Sequence, residues 1–120
     1  MNDAPEPLAV LLNESADTLT VEFEDGATYE LSAEYLRVFS PSAEVQGHSP
    51  EQAKLQSGKM HVKIRRVDPV GDYAICIRFD DAHSTGIYTW EWLYTLGREH
   101  AARWPVYLEQ LEEAGESREP

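Results

Sequence analysis

Apolar and polar residues alternate along several stretches of this chain, with the period of two that is typical of half-buried β-strands. The alternation is clearest at 73–79, where it predicts the most regular strand of the chain. The Asp25-Gly26 dipeptide lies between two such stretches and predicts a hairpin turn. The strands predicted from these patterns and from a short apolar run near the N-terminus are 8–12, 19–24, 27–31, 60–65 and 73–79.

A short helix is predicted directly after the first hairpin. Ser32 precedes the sequence AEYLRVF, so it predicts an N-cap followed by about two helical turns. Pro41 should end this helix, because a residue that precedes proline is disfavoured in the helical region. The polar connection that follows, 40–58, is long for a compact domain, and loops of this length are often functional.

The C-terminal third has the three-to-four-residue spacing of amphipathic helices. Apolar residues from Trp90 onward predict a helix that Gly97 interrupts. A last helix is predicted over about 98–114, and Pro105 inside it should kink that helix or begin a new one. The sequence therefore predicts two helices in this region.

Strands come first in this chain and helices follow, which predicts an α+β fold in a single domain. A small, mainly antiparallel β-sheet should pack against the C-terminal helices. The domain is expected to cover 8–114, between a flexible tail at 1–7 and an acidic, frayed tail at 115–120. The predicted core contains Val21, Phe23, Ile75, Ile77, Phe79, Leu93 and Leu108.

The composition is that of a folded, strongly acidic protein. Hydrophobic residues make up 42% of the 120 residues, and 10 basic against 22 acidic residues give a net charge of −12. A charge of this sign repels phosphates, which argues against nucleic acid and anionic membranes as partners. The chain has no apolar run of membrane-spanning length, and its first residues do not predict a signal peptide. Its single cysteine, Cys76, cannot form an internal disulfide. These features predict a cytoplasmic protein.

The segment after the most regular strand carries the main candidate chemistry. Asp80, Asp81 and His83 lie within four residues, and two carboxylates with an imidazole could hold a metal ion. The alternative is that the carboxylates cap the turn and the following helix while His83 hydrogen-bonds the backbone. A complete metal site would need a further ligand from His48, His61 or His100. The chain contains no nucleophile motif and no glycine-rich phosphate loop, so it is predicted not to be an enzyme.

Two segments are similar to a known family: DGATYELSAEYLRVFSPSAEVQGH and PVGDYAICIRFDDAHSTGIYTWEWLYTLG. They resemble the bacterial stand-alone form of the γ-butyrobetaine hydroxylase-like N-terminal domain, over roughly residues 8–110. The resemblance implies a small α+β module. In that family the module precedes the catalytic domain of 2-oxoglutarate- and Fe(II)-dependent oxygenases of the carnitine pathway. It is also attached to P-loop ATPases that carry iron–sulfur clusters, and it occurs alone with no established activity.

In the oxygenases, the resemblance implies a structural zinc bound by three cysteines and a histidine. Leu36 and Arg37 match the beginning of the cysteine motif, and His83 matches the histidine. Hydroxyl and alkyl side chains cannot replace thiolates as ligands of zinc. The zinc site is therefore expected to be lost, with no cofactor bound, since the cysteine positions fall on Ser40, Ser42 and Val45.

These observations predict a non-catalytic accessory or protein-interaction module. The partners that the resemblance implies are an iron–sulfur carrier ATPase or an oxygenase. The alternative function is weak iron binding through His83 with Asp80 or Asp81, in support of such an ATPase. Arg37 and Arg78 are expected to offset the charge of the two aspartates. The predicted binding surface consists of Arg37, His48, Asp80, Asp81, His83 and Tyr88.

Overall fold

Six strands form two three-stranded antiparallel sheets in the computed structural model, which describes residues 4–41, 55–81 and 86–120. The first sheet has the strand order β1-β2-β3 and the second the order β4-β5-β6. The predicted α+β class with antiparallel strands is confirmed. The elements are β1 (Pro7–Leu12), β2 (Thr18–Phe23), β3 (Thr28–Ser32), α1 (Ala33–Val38), β4 (Ile64–Val70), β5 (Ala74–Phe79), β6 (Gly86–Thr89) and α2 (Trp90–Ala114).

The first sheet forms as the alternation predicts. Every second residue of β2 points into the core, so Leu19, Val21 and Phe23 are almost completely buried. The hairpin turn is stabilised by Asp25, whose carboxylate accepts a hydrogen bond of 2.9 Å from the Ala27 N–H. These contacts confirm the predicted hairpin between β2 and β3.

The short helix α1 also begins where the sequence predicts. The Ser32 hydroxyl accepts a hydrogen bond of 3.0 Å from the Tyr35 N–H, which satisfies one of the free donors of the first turn. All six residues of α1 are buried: the helix contacts β3, and its Tyr35 hydroxyl donates to the Leu96 carbonyl of α2 at 2.6 Å. A buried position is unusual for its two charged residues, Glu34 and Arg37, and each has an oppositely charged partner.

The second sheet differs from the prediction at its edges. The strand expected over 60–65 begins only at Ile64 and continues to Val70, with Met60 exposed in the preceding turn. Val62 and Ile64 are both buried, so the alternation of apolar residues at 60–65 correctly indicates burial, although residues 60–63 do not pair as a strand. Pro69 is accommodated within β4 because β4 is an edge strand, where a missing N–H costs little.

The C-terminal helix α2 is continuous over 25 residues, where two helices were expected. Gly97 does not interrupt it. A Cβ at this position would lie only 2.2 Å from Cγ of Tyr29, so the glycine allows α2 to approach β3. Pro105 lies inside the helix on an exposed face, where solvent can satisfy the carbonyl that loses its N–H partner.

Six of the seven predicted core residues are buried, and Leu108 is not: 37% of its surface is exposed. Its neighbour Tyr107 and the residue four positions later, Leu111, are buried instead, at 2% and 3%. Residues four apart lie on one helix face, whereas adjacent residues are about 100° apart around the axis. The prediction of Leu108 as a core residue was therefore wrong, because Leu108 lies off this buried face.

The C-terminal segment makes ordered contacts with the rest of the fold. The Arg118 guanidinium binds both carboxylate oxygens of Glu34, at 2.9 and 2.8 Å, and this hydrogen bonding raises the pKa of Arg118. The Met60 N–H donates to the Arg118 carbonyl at 3.0 Å. Residues 117 and 118 thus hold the segment before β4 against α1. None of the helices that the structure describes is long and apolar enough to cross a membrane.

Candidate functional site

The end of β5 brings Asp80 and Asp81 to the surface beside the C-terminal half of α1. Asp80 is held by the chain segment that precedes β4. Its N–H donates to the Lys63 carbonyl at 2.9 Å, and its carboxylate accepts from the Lys63 N–H at 3.0 Å. This pair of hydrogen bonds fixes the direction in which the chain leaves β5.

The Asp81 carboxylate binds two cations through one oxygen. Arg37 Nε lies 2.8 Å and Lys59 Nζ 2.7 Å from Asp81 Oδ2. The Arg37 side chain is 9% exposed, and those of Lys59 and Asp81 are each 20% exposed. We refer to Arg37, Lys59 and Asp81 as the Asp81 cluster.

Arg37 has hydrogen-bonding capacity that the described residues do not use. Its Nη1 is buried and has no hydrogen-bond partner among them. A buried donor without an acceptor costs roughly 1–3 kcal/mol, and more when it is charged. Among the described residues, this unsatisfied donor therefore reduces the contribution of Arg37 to stability.

Tyr88 lies beneath the Asp81 cluster and is completely buried, so its assignment to a binding surface was wrong. Its hydroxyl donates to the Leu36 carbonyl at 2.5 Å and also forms a hydrogen bond with the Ser40 side chain. Burial raises the pKa of the Tyr88 phenol well above its usual value, so it remains neutral and can donate. Gly86 leaves the room for this contact, because a Cβ there would lie 2.7 Å from the Tyr88 ring and 3.2 Å from the Ser40 oxygen.

The structure brings together some of the predicted site residues and not others. Arg37 pairs with Asp81 as expected, whereas Arg78 lies near Asp68, at 3.7 Å, on the second sheet. Sequence reasoning missed Lys59 as the second cation of the Asp81 cluster. The only signal for it was its place in a group of basic residues at 54–66, since nothing in the spacing linked it to Asp81.

Two predicted residues, His48 and His83, lie outside the described residues, as do Ser42 and Val45. The other candidate histidines do not join a metal site in the described ranges: His61 is exposed, and the His100 ring packs 4.5 Å from that of Tyr35. Within 4–41, 55–81 and 86–120, no three His, Cys, Asp or Glu side chains lie close enough together to hold a metal ion.

Comparison with known proteins gives a consistent set of relatives. The family model described as gamma-butyrobetaine hydroxylase-like, N-terminal, matches residues 10–94. Two NMR solution structures are 44% and 41% identical, with TM-scores of 0.84 and 0.85. The matches cover 98% and 100% of this chain, and 92% and 89% of those chains.

A crystal structure from Acidithiobacillus ferrooxidans is also similar. It is a protein with unknown function that belongs to the DUF971 family. It is 37% identical, with a TM-score of 0.65, and the match covers 77% of this chain and 92% of that one. Among curated proteins no match was found.

Proposed function

Because this chain belongs to the gamma-butyrobetaine hydroxylase-like N-terminal family, we propose that it is a non-catalytic module that binds a protein partner through the Asp81 cluster. The observation that supports the proposal most directly is the charge of the cluster, in which two cations, Arg37 and Lys59, share one carboxylate oxygen of Asp81. A carboxylate of the partner would contact Lys59, whose side chain is partly exposed, and would lie beside Asp81 as a second anion for the two cations.

The position of the Asp81 cluster supports this role. Arg37 lies on a buried helix, and Asp81 lies two residues after the central strand of the second sheet, next to Asp80, which is hydrogen-bonded to Lys63. Side chains fixed in this way lose little conformational freedom on binding, which favours affinity. In the family, the module accompanies oxygenases and iron–sulfur carrier ATPases, and these remain the partner classes that we propose.

We expect that Arg37→Met and Lys59→Met will each weaken partner binding by at least about tenfold, since each removes one cation that faces the incoming carboxylate. Tagged protein would capture its partner from the native cell, and the purified partner would then be titrated by calorimetry. Arg66→Met is the matched control, because the Arg66 side chain is 70% exposed and lies outside the Asp81 cluster. Equal affinity for wild type and both cluster variants would refute this role of the cluster.

The proposed loss of the family zinc site is supported by the contacts of Ser40. This residue stands at the first cysteine position that the resemblance implies, and it is completely buried. Its side chain forms a hydrogen bond with the Tyr88 hydroxyl, so a neutral contact holds the chain where a thiolate would bind metal. The donor atom at this position does not fit a zinc site, whose ligands are thiolate, imidazole or carboxylate.

Protein purified without added metal should contain far less than one zinc per chain by elemental analysis. Iron added to the purified protein should bind weakly, because both carboxylates proposed as ligands already have partners: Asp80 bonds the Lys63 N–H, and Asp81 pairs with Arg37 and Lys59. His83→Ala is the matched variant. One tightly held zinc or iron per chain that this variant loses would instead support the metal-binding alternative.

A further inference from the structure

We infer that the outer edge of β1 is a second docking site, which accepts an extended apolar segment of a partner protein, flanked by basic residues, as an additional strand. This site is separate from the Asp81 cluster, and the inference does not depend on the function proposed for that cluster. In the described part of the chain, β1 pairs only with β2, so its other edge has no strand beside it.

Large apolar side chains are unusually exposed along β1. Leu8, Leu11 and Leu12 are 67%, 55% and 41% exposed, although they lie within one six-residue strand. Leu12 is paired with Leu19, which is completely buried, so Leu12 faces the core side of the sheet at its open margin. An added strand would cover this margin and remove apolar surface from water.

The backbone groups that would pair with an added strand can be assigned from the register. The Asn13 N–H donates to the Thr18 carbonyl at 3.2 Å, which makes these two residues a hydrogen-bonded pair. Such pairs alternate along antiparallel strands, so the next one on β1 involves Leu11. The N–H and C=O groups of Val10 and Leu12 therefore point away from β2, toward the open edge.

This edge also lacks the usual protection over most of its length. Proteins commonly block exposed edges with lysine, proline or a bulge. In β1, Pro7 and the irregular register between Pro7 and Ala9 protect the beginning of the strand. The stretch from Ala9 to Leu12 is regular and carries no charge. It presents a pairing template about four residues long.

The charge around β1 indicates what kind of segment would bind. No strand of the first sheet contains a lysine or arginine, and exposed Glu6 and Glu14 lie on either side of β1. Basic residues at both ends of an incoming strand would be opposite these carboxylates, where opposite charges are favourable. Strand addition of this kind uses backbone hydrogen bonds for affinity and alternate side chains for specificity.

A second copy of this chain fits the edge less well. Antiparallel pairing of two β1 strands about Val10 would place Glu6 of one copy opposite Glu14 of the other, at both ends of the pair. The net charge of −12 on each chain adds to this repulsion. The charges therefore favour a basic partner over self-association.

The inference can be tested with a defined peptide probe, the acetylated and amidated sequence Lys-Val-Thr-Val-Thr-Val-Lys, titrated into isotope-labelled protein. Its binding should shift the amide resonances of Val10 and Leu12 most strongly and should weaken as the ionic strength rises. Leu12→Lys should weaken binding by at least about tenfold, because it adds a like charge at the open margin. Val106→Lys, on an exposed apolar residue of α2, is the matched control and should bind as wild type does.

Leu12→Pro is a second variant that removes an outward N–H without removing a β1–β2 hydrogen bond, and it should also weaken binding. The same peptide with glutamate at both ends should not bind. The inference would be overturned, and the edge would not be a docking site, if the two peptides bound equally or if the resonance shifts were confined to other elements. Concentration-dependent dimerisation through β1 would overturn it in favour of self-association.

Discussion

Replacing Ile77 by alanine is expected to lower the free energy of unfolding by about 2–5 kcal/mol. Ile77 is completely buried in β5, the central strand of the second sheet, and pairs with Val67 on one side and Gly86 on the other. Its side chain belongs to the core shared by both sheets and α2. The cost combines lost apolar burial with the cavity that a close-packed core cannot fully close.

Urea denaturation of the purified protein measures this cost, and Ile87→Ala is the matched control. Ile87 lies on the neighbouring strand β6, is the same residue type and is 45% exposed. Its truncation should change the free energy of unfolding by no more than about 0.5 kcal/mol. If the two variants were destabilised equally, the inward direction assigned to alternate residues of β5 would be wrong.

The pattern of residues predicted the parts of this fold that are locally determined. The alternation of β2 and β5, the Asp25-Gly26 turn and the Ser32 cap each depend on residues close in sequence, and each is confirmed. Gly97 was misassigned because its role is not local. A glycine in a helical pattern usually marks an end, but here it makes room for the Tyr29 ring of β3.

The strand β6 was missed for a related reason. Residues 86–89 are only four in number, and their pairing with β5 is decided by a partner strand rather than by their own pattern. Short strands of this kind carry almost no periodic signal. The helix predicted from Trp90 onward does begin at Trp90.

The candidate site was predictable only in part. The pairing of Arg37 with Asp81 followed from the need to neutralise a carboxylate at the end of β5. The second cation could not be assigned from the sequence, because Lys59 reaches Asp81 across 22 residues of chain. The burial of Tyr88 depends on the packing of β6 beneath α1, so the sequence alone did not separate it from the surface residues.

The pairing of Asp81 with Arg37 determines how this turn affects stability. Two adjacent aspartates would repel each other if no cation neutralised them. Asp81 instead neutralises a guanidinium that is 9% exposed. We therefore expect Asp81→Ala to lower the free energy of unfolding by about 2–4 kcal/mol, somewhat less than for a fully buried pair because the Asp81 side chain is 20% exposed.

The same reasoning predicts that replacing Arg37 costs less stability than replacing Asp81. Arg37→Met should cost no more than about 1 kcal/mol, because Asp81 keeps Lys59 as a partner and methionine preserves much of the apolar contact of the arginine stem. Asp81→Ala leaves Arg37 without a carboxylate partner among the described residues. The double variant, Arg37→Met with Asp81→Ala, should consequently be more stable than Asp81→Ala alone, since it also removes the uncompensated charge of Arg37.

Chemical denaturation of the wild type, the two single variants and the double variant forms a complete cycle for this test. Lys59→Met is the control, and it should be nearly neutral because Asp81 retains Arg37. A double variant less stable than Asp81→Ala would show that Arg37 stabilises the fold by itself. The expected penalty for leaving the Arg37 charge without Asp81 would then be absent.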